Sequence, residues 1–224
     1  MSAAPLALLF DLDGTLTDPR EGITKCIAHA LERMGREAPP PEALTFAIGP
    51  PLRASLARLL RTDDRDEVER AIGHYRERFA GTGLYENAPY AGIDAALASL
   101  RGAGHRLFVA TSKPRVYAER IVAHFDLHAH FEAVHGCELD GTREDKRDLL
   151  AHLFPSHGID PERAVMVGDR GVDMAAARHH GAGALGALWG YGTPSELEEA
   201  GAHALCARPA EIPSRLRELL AAPI

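Results

Sequence analysis

The sequence predicts a three-layer α/β fold, in which helices cover both faces of a parallel sheet and a second, helical domain is inserted. Short apolar runs alternate with helical stretches from residue 92 to residue 206, and a first apolar run lies at 6–10. Such alternation is typical of a parallel sheet with helices on both faces. Residues 18–86 break the alternation, because they contain helix-like segments and no convincing strand. We therefore predict a core of residues 1–17 and 87–224 and an α-helical cap domain of residues 18–86.

Six apolar runs of strand length are predicted to form the sheet. They are 6–10, 105–110, 131–136, 163–168, 183–189 and, more weakly, 202–206. The stretches between them show helical spacing, and several end in glycine, as helices often do. The predicted core helices cover 92–104, 113–125, 145–154 and 171–181. Within the cap, helical segments are predicted at 21–35, 41–49, 52–62 and 64–81.

Composition excludes several classes of partner. The net charge is −7, and no basic stripe is present, so a nucleic acid polymer is not expected to bind. No apolar run reaches the roughly 18 residues that a membrane-spanning helix requires. The first apolar stretch runs directly into Asp11 and is interpreted as a strand rather than a signal peptide. Three widely separated cysteines indicate reduced thiols, and we expect a cytoplasmic monomer or homodimer.

The first predicted strand ends in two carboxylates, within the stretch "LLFDLDGT". Asp11 and Asp13 are one residue apart, and alternation along an extended chain places them on the same side. Two like charges at this spacing raise one pKa or recruit a cation. The pair therefore predicts a functional site.

Other polar side chains follow the remaining strands of the predicted sheet. In open α/β sheets, ligands bind outside the carboxyl ends of the strands, so side chains at these ends are expected to converge. Acidic, hydroxyl and ammonium groups are present there. They are Asp11 and Asp13 after the first strand, Thr111, Ser112 and Lys113 after the second, Lys146 at the start of the helix after the third, and Asp169 after the fourth.

These residues resemble the four signatures of the haloacid dehalogenase superfamily, and in particular its phosphatases with a helical cap after the first strand. The matching stretches, in chain order, are "DLDGT" (11–15), "TSK" (111–113), Lys146 and "GDRGVD" (168–173). The resemblance implies a Rossmann-like core and covers essentially the whole chain. Further stretches are similar to the phosphoglycolate phosphatase and bacterial 5′-nucleotidase branches, namely "DPREGI", "GPPL", "TSKP", "ELDGTREDK" and "LWGYG".

The two aspartates suit different chemical roles. Asp11 fits a nucleophile that attacks phosphorus and forms an aspartyl phosphate. Because an anion then attacks an anion, a hard cation must lie between them, and Mg²⁺ with oxygen ligands is expected. Asp11 and Asp169 would bind this ion, and the resemblance implies that the backbone carbonyl of Asp13 does so too. The side chain of Asp13 remains available as a general acid and base, and Asp173 is expected to be a secondary or outer ligand.

Thr111 and Ser112 offer hydroxyl and backbone N–H groups to phosphoryl oxygens, although Ser112 could equally be a plain helix N-cap. Lys146 is expected to neutralise Asp11 and the transferred phosphoryl group. The alternative cation is Lys113, and the two lysines could share this task.

Lys25 is one of only three lysines, against 22 arginines. Its position on the first cap helix, just beyond the crossover from the catalytic turn, suggests the hypothesis that it contacts the non-reacting part of a substrate. The alternative is an exposed helical pair with Glu21, four residues earlier, worth only about 0.2–0.5 kcal/mol.

The predicted function is a Mg²⁺-dependent phosphatase that hydrolyses a small phosphorylated metabolite, similar to phosphoglycolate phosphatase or 5′-nucleotidase. A sugar phosphomutase would use the same residues and is the alternative enzyme class. A non-enzymatic binding or regulatory protein is less favoured, since it predicts the loss of at least one of Asp11, Asp13, Lys146 or Asp169, and all four are present.

Overall fold

The computed structural model describes residues 5–221, and its centre is a parallel sheet. In chain order the strands are β1 (Ala7–Phe10), β2 (Thr17–Asp18), β3 (Ala88–Pro89), β4 (Arg106–Pro114), β5 (Ala133–Cys137), β6 (Ala164–Gly168), β7 (Gly183–Ala187) and β8 (Ala204–Cys206). Six of them form one sheet in the order β5-β4-β1-β6-β7-β8, and every neighbouring pair in it is parallel. Strands β2 and β3 pair with each other as a separate antiparallel ribbon.

Nine α-helices are present in the described range 5–221. They are α1 (Arg20–Arg33), α2 (Leu52–Leu60), α3 (Arg65–Arg78), α4 (Ile93–Gly102), α5 (Arg115–His124), α6 (Lys146–Ser156), α7 (Gly171–His179), α8 (Pro194–Glu199) and α9 (Ile212–Ala221). A 3₁₀ turn at Pro41–Ala47 precedes α2, and a π-helical turn at Phe79–Gly83 follows α3. Among these described helices, none has both the length and the apolar character needed to cross a bilayer.

The predicted α/β fold is confirmed, and all six predicted strands are present with shifted ends. The four predicted core helices correspond to α4, α5, α6 and α7. Helices α8 and α9 and the β2–β3 ribbon were not predicted.

The central strand β1 shows why the core has three layers. Its alternate residues Leu8 and Phe10 pack into one apolar cluster, together with side chains of α4, α5 and α9. Ala7 and Leu9 pack into a second cluster, with side chains of α6, α7 and α8. A strand that is buried on both faces contains no polar alternation, which explains the uninterrupted apolar run in the sequence.

The helices α1, α2 and α3, which we call the inserted helices, come between β2 and β3 in the order of the chain. The chain leaves the core through β2 and returns through β3, so the ribbon is the crossing point in both directions. Apolar side chains of the inserted helices, among them Ile27 and Ile72, belong to the same cluster as Leu8 and Phe10. The division into two domains at residues 18 and 86 remains a prediction.

Candidate active site

All of the predicted site residues except Lys25 meet near the carboxyl ends of β1, β4 and β6. Asp11 extends the ladder of β1, since its N–H donates to the carbonyl of Val167 at 3.0 Å. The chain then turns sharply at Gly14, whose φ of +85° favours glycine. A Cβ at Gly14 would lie 2.2 Å from Asp169 Oδ2, so only glycine allows this turn to approach Asp169.

Three carboxylates form a buried cluster at the centre of the site. One oxygen from each of Asp11, Asp169 and Asp173 lies within 4.8 Å of the others. The side chains are almost fully enclosed, with Asp11 at 2% exposure and the other two residues at 0%. This is an arrangement that could hold a metal ion.

Lys146 provides the counter-charge to this cluster. It is the first residue of α6, and Asp145 caps that helix by accepting a hydrogen bond from the N–H of Arg147. Lys146 Nζ lies 3.0 Å from Asp11 Oδ1 and also donates to Asp173 Oδ1. Burial disfavours the ammonium, but the charges of Asp11 and Asp173 outweigh burial and raise the pKa of Lys146. The residue is therefore a permanent cation within the cluster.

Asp169 is held by two hydrogen bonds, one to each carboxylate oxygen. The hydroxyl of Thr15 donates to Oδ1 at 3.0 Å, and the backbone N–H of Tyr191 donates to Oδ2 at 2.8 Å. Burial and the nearby charges of Asp11 and Asp173 raise the pKa of Asp169 well above its usual value. A bound cation would relieve this electrostatic cost.

The composition of the cluster fits a hard divalent cation. Three ionised carboxylates carry two more negative charges than Lys146 alone can balance, which matches the charge of a divalent cation. Carboxylate oxygens are also the ligands that such cations prefer. Asp11 Oδ1 accepts no well-aligned hydrogen bond from any described residue, despite its short distance to Lys146. A buried carboxylate oxygen in this state is available for coordination.

Asp13 lies apart from the cluster and pairs with the other buried lysine. Lys113 Nζ is 2.7 Å from Asp13 Oδ2 and 4.5 Å from the centre of the Phe79 ring. Asp13 Oδ1 has no hydrogen-bond partner among the described residues. Burial raises the pKa of Asp13, and Lys113 only partly opposes this effect. Each catalytic candidate therefore has its own lysine partner: Lys146 lies next to Asp11, and Lys113 lies next to Asp13.

Thr111 and Ser112 occupy the last part of β4, next to the aspartates. Thr111 is buried at 2% exposure, and its hydroxyl accepts a hydrogen bond from the N–H of Lys113 at 3.2 Å. Ser112 is half-buried, and its carbonyl accepts a bond from the thiol of Cys137. The helix after Ser112 is capped at Pro114, so Ser112 is not the N-cap residue.

A cavity of about 70 Å³ joins this rim to the inserted helices. Asp11, Asp13, Thr111, Ser112 and Lys113 form its floor. The rest of its wall carries aromatic and apolar side chains together with charged ones, among them Ile23, Ile72, Tyr75, Phe79, Tyr117, Arg53, Arg76, Glu138 and Glu144. The cavity wall therefore combines charged groups with apolar and aromatic surface, as small-molecule sites usually do.

Lys25 lies outside the walls that the described residues give this cavity. Its ammonium is 2.6 Å from Glu21 and 3.1 Å from Glu86, and about half of its side chain is exposed. These carboxylates raise the pKa of Lys25. The structure favours the helical ion pair over the proposed substrate contact, because both partners hold the side chain on the outer surface of α1.

One contributor to the site was not identified from the sequence. The loop 189–192 follows β7, and its Trp189 indole donates to the carbonyl of Thr15 at 2.9 Å, while the N–H of Tyr191 binds Asp169. The stretch "LWGYG" was noted only as a resemblance. Its contribution comes largely from the backbone, which composition does not reveal.

A family model and the sequences of known proteins point to the same family. A family model described as haloacid dehalogenase-like hydrolase matches residues 8–187. A 5′-nucleotidase of Pseudomonas aeruginosa is 47% identical over 190 residues, which cover 85% of this chain and 86% of that protein. A phosphoglycolate phosphatase of Agrobacterium fabrum is 32% identical over 197 residues, covering 84% of this chain and 82% of that protein.

Two further similarities extend this picture. The tyrosine-protein kinase PtkA of Mycobacterium tuberculosis is 41% identical over 196 residues, and the match covers 88% of this chain and 66% of PtkA. The crystal structure of a predicted phosphatase from Clostridium acetobutylicum has a TM-score of 0.92 at 36% identity, covering 96% of this chain and 100% of that one.

Proposed function

We propose that this chain, which belongs to the haloacid dehalogenase-like hydrolase family and is a phosphatase of that family, depends on Mg²⁺. We further propose that its reaction passes through an aspartyl phosphate. One observation carries this proposal. Asp11 and Asp13 border the same cavity but have different surroundings, since Asp11 belongs to the carboxylate cluster and Asp13 does not. Two carboxylates in different environments are able to perform two different roles.

Asp11 is the nucleophile in this proposal. One carboxylate oxygen attacks the phosphorus atom and forms an aspartyl phosphate, while the bond between phosphorus and the ester oxygen breaks. Lys146, 3.0 Å from Asp11 Oδ1, reduces the repulsion between the two anions. Asp11, Asp169 and Asp173, with the carbonyl of Asp13, would hold Mg²⁺, which when bound supplies charge neutralisation for the phosphoryl group.

Asp13 moves the protons. Its raised pKa favours the protonated acid, which can donate to the leaving alkoxide. The resulting carboxylate then accepts a proton from the water that hydrolyses the aspartyl phosphate, and inorganic phosphate is released. Lys113 remains paired with Asp13 and places a positive charge beside the transferred group. Thr111 and Ser112, on the same cavity floor, are proposed to bind phosphoryl oxygens.

The inserted helices are proposed to act as the cap domain that binds the non-reacting part of the substrate. Tyr75 of α3, Phe79 directly after α3 and Tyr117 of the core helix α5 offer aromatic surface in the same cavity as the aspartates. Such a wall suits a planar organic group, and the P. aeruginosa relative is named a 5′-nucleotidase. We therefore propose nucleoside monophosphates as the first substrates to examine, with phosphoglycolate as the comparison.

The proposal is tested by phosphate release from purified protein. Nucleoside monophosphates, phosphoglycolate and p-nitrophenyl phosphate would be supplied with Mg²⁺ and, separately, with a chelator. We expect release of inorganic phosphate that requires Mg²⁺ and is absent in Asp11→Asn. Isomerisation of a hexose phosphate without phosphate release would instead favour the sugar phosphomutase, and metal-independent turnover would overturn the proposed role of the cluster. The cytoplasmic location and the monomeric or homodimeric state remain predictions from the sequence.

A further inference from the structure

The loop 189–192 connects the carboxylate cluster with the start of the inserted helices. At one end, the N–H of Tyr191 donates to Asp169 Oδ2 at 2.8 Å. At the other end, the hydroxyl of the same tyrosine donates to Asp18 Oδ1. Tyr191 therefore binds a proposed metal ligand through its backbone and the ribbon strand β2 through its side chain.

The loop is packed closely against Asp169 on its backbone side. A Cβ at Gly190 would lie 2.3 Å from Asp169 Cβ and 2.4 Å from the carbonyl oxygen of Gly14. A Cβ at Gly192 would lie 2.0 Å from the carbonyl oxygen of Asp169. A side chain at either glycine would therefore collide with Asp169 or Gly14, so the loop backbone is in direct contact with them.

The other partner, Asp18, controls the beginning of α1. Its Oδ1 also accepts a hydrogen bond from the N–H of Arg20, the first residue of that helix, at 3.0 Å. Ile23, one turn further along α1, lines the cavity. Burial, together with the bond to Asp18, raises the pKa of Tyr191, so its hydroxyl remains a hydrogen-bond donor at any physiological pH.

We propose that Tyr191 is a positioning residue that ties the orientation of α1, and hence the apolar wall of the cavity, to the position of Asp169. The coupling that we propose acts through the side-chain bond from the Tyr191 hydroxyl to Asp18. Without it the catalytic cluster keeps its own contacts, because the N–H of Tyr191 is retained in any substitution other than proline. The first turn of α1 loses its link to the core loop and opens more often.

Hydrogen exchange of the metal-free protein tests this coupling directly. In Tyr191→Phe, exchange in the peptide that covers residues 16–24 should accelerate about tenfold, as expected for the loss of a bond to a charged acceptor. Peptides from β1 and β6 should exchange as in the parent protein. The matched control is Tyr85→Phe, which removes a tyrosine hydroxyl that accepts from Arg120 at 3.0 Å on the surface. Unchanged exchange at 16–24 in Tyr191→Phe would overturn the proposal.

A double-mutant cycle with Asp18→Ala then identifies the bond itself. If Tyr191 acts through Asp18, the exchange rate of Tyr191→Phe in the Asp18→Ala background should equal that of Asp18→Ala alone. Independent, additive accelerations would mean that Tyr191 acts through another contact, and they would refute the assignment.

A kinetic measurement adds the functional consequence and rests on the proposed phosphatase activity. In Tyr191→Phe, the KM for a nucleoside monophosphate should rise about tenfold, with a smaller fall in kcat, because the inserted helices bind the non-reacting part. The KM for acetyl phosphate, which is too small to need that wall, should stay within about twofold of the parent value. Equal effects on both substrates would contradict a role through α1. If the parent protein hydrolyses neither compound, the proposed function fails, while the exchange experiment still decides the coupling.

Discussion

Replacing Gly190 by alanine should impair both the active site and the stability of the fold. The new methyl would stand 2.3 Å from Asp169 Cβ, where contacts below 3.0 Å are essentially never found, so the loop must move away. Overpacking of this kind costs about 1–3 kcal/mol. The displaced loop also weakens the hydrogen bond from the Tyr191 N–H to the Asp169 carboxylate, and a bond of this type contributes about 1.5–3 kcal/mol. We expect a loss of about 2–4 kcal/mol in the free energy of unfolding, since part of the strain relaxes. Displacement of Asp169 by about 1 Å should lower kcat/KM about 100-fold.

The assay combines urea unfolding with Mg²⁺-dependent hydrolysis of p-nitrophenyl phosphate. The matched control is Gly73→Ala in α3, because a Cβ there meets no atom within 4 Å. This control should gain about 0.5–1 kcal/mol from the improved helix propensity, and its activity should not change. If Gly190→Ala retained both the stability and the activity of the parent, the close packing of this loop on Asp169 would be wrong.

The other groups of the site and one half-buried histidine give further testable expectations. Asp11→Asn should abolish phosphate release and chemical trapping of a phosphoenzyme, while urea unfolding changes by about 1 kcal/mol or less. Asp13→Asn should nearly abolish turnover but leave Mg²⁺ binding intact by calorimetry, and a collapse of binding would contradict the division of roles. Asp169→Ala should raise the Mg²⁺ concentration for half-maximal activity by about 100-fold or more, and Asp173→Ala by less, because the Lys146 ammonium already pairs directly with Asp173. Burial and a neighbouring histidine lower the pKa of His135 from 6.5 to about 4. Between pH 6.5 and about 4, the His135 side chain is therefore protonated more readily in the unfolded chain than in the folded protein. Stability should therefore fall by about 1–2 kcal/mol, after allowance for partial exposure, as the pH drops from 6.5 to about 4. In His135→Gln, the urea midpoint should depend less on pH over this range than in the parent protein. An unaltered dependence of the midpoint on pH would refute the explanation.

The parts of the fold that could be predicted are those whose burial leaves a trace in the residue pattern. Strand β6 is buried along its whole length and is an uninterrupted apolar run between turns. Strands β2 and β3 have only two residues each, which is too short for any periodicity to be detected. Helix α8 has six residues and begins with proline, so it resembles a turn as much as a helix.

The same limit applies to the site. Asp11, Asp13 and Asp169 were predictable because they follow strands whose carboxyl ends meet at one edge of the sheet. Tyr191 acts on Asp169 through a backbone N–H, which every residue except proline possesses, so its identity carried no signal. The second partner of Lys25 is Glu86, 61 positions along the chain, and only the folded ribbon brings the two together.

The unequal exposure of the three lysines has a practical consequence for labelling. The Lys113 and Lys146 residues are 8% and 4% exposed, whereas about half of the Lys25 side chain is accessible. At limiting concentrations, an acylating reagent will therefore modify the Lys25 side chain before either of the other two. A fluorophore attached there would be located on α1, outside the cavity, and would report on the orientation of the inserted helices while the catalytic amines stay unmodified.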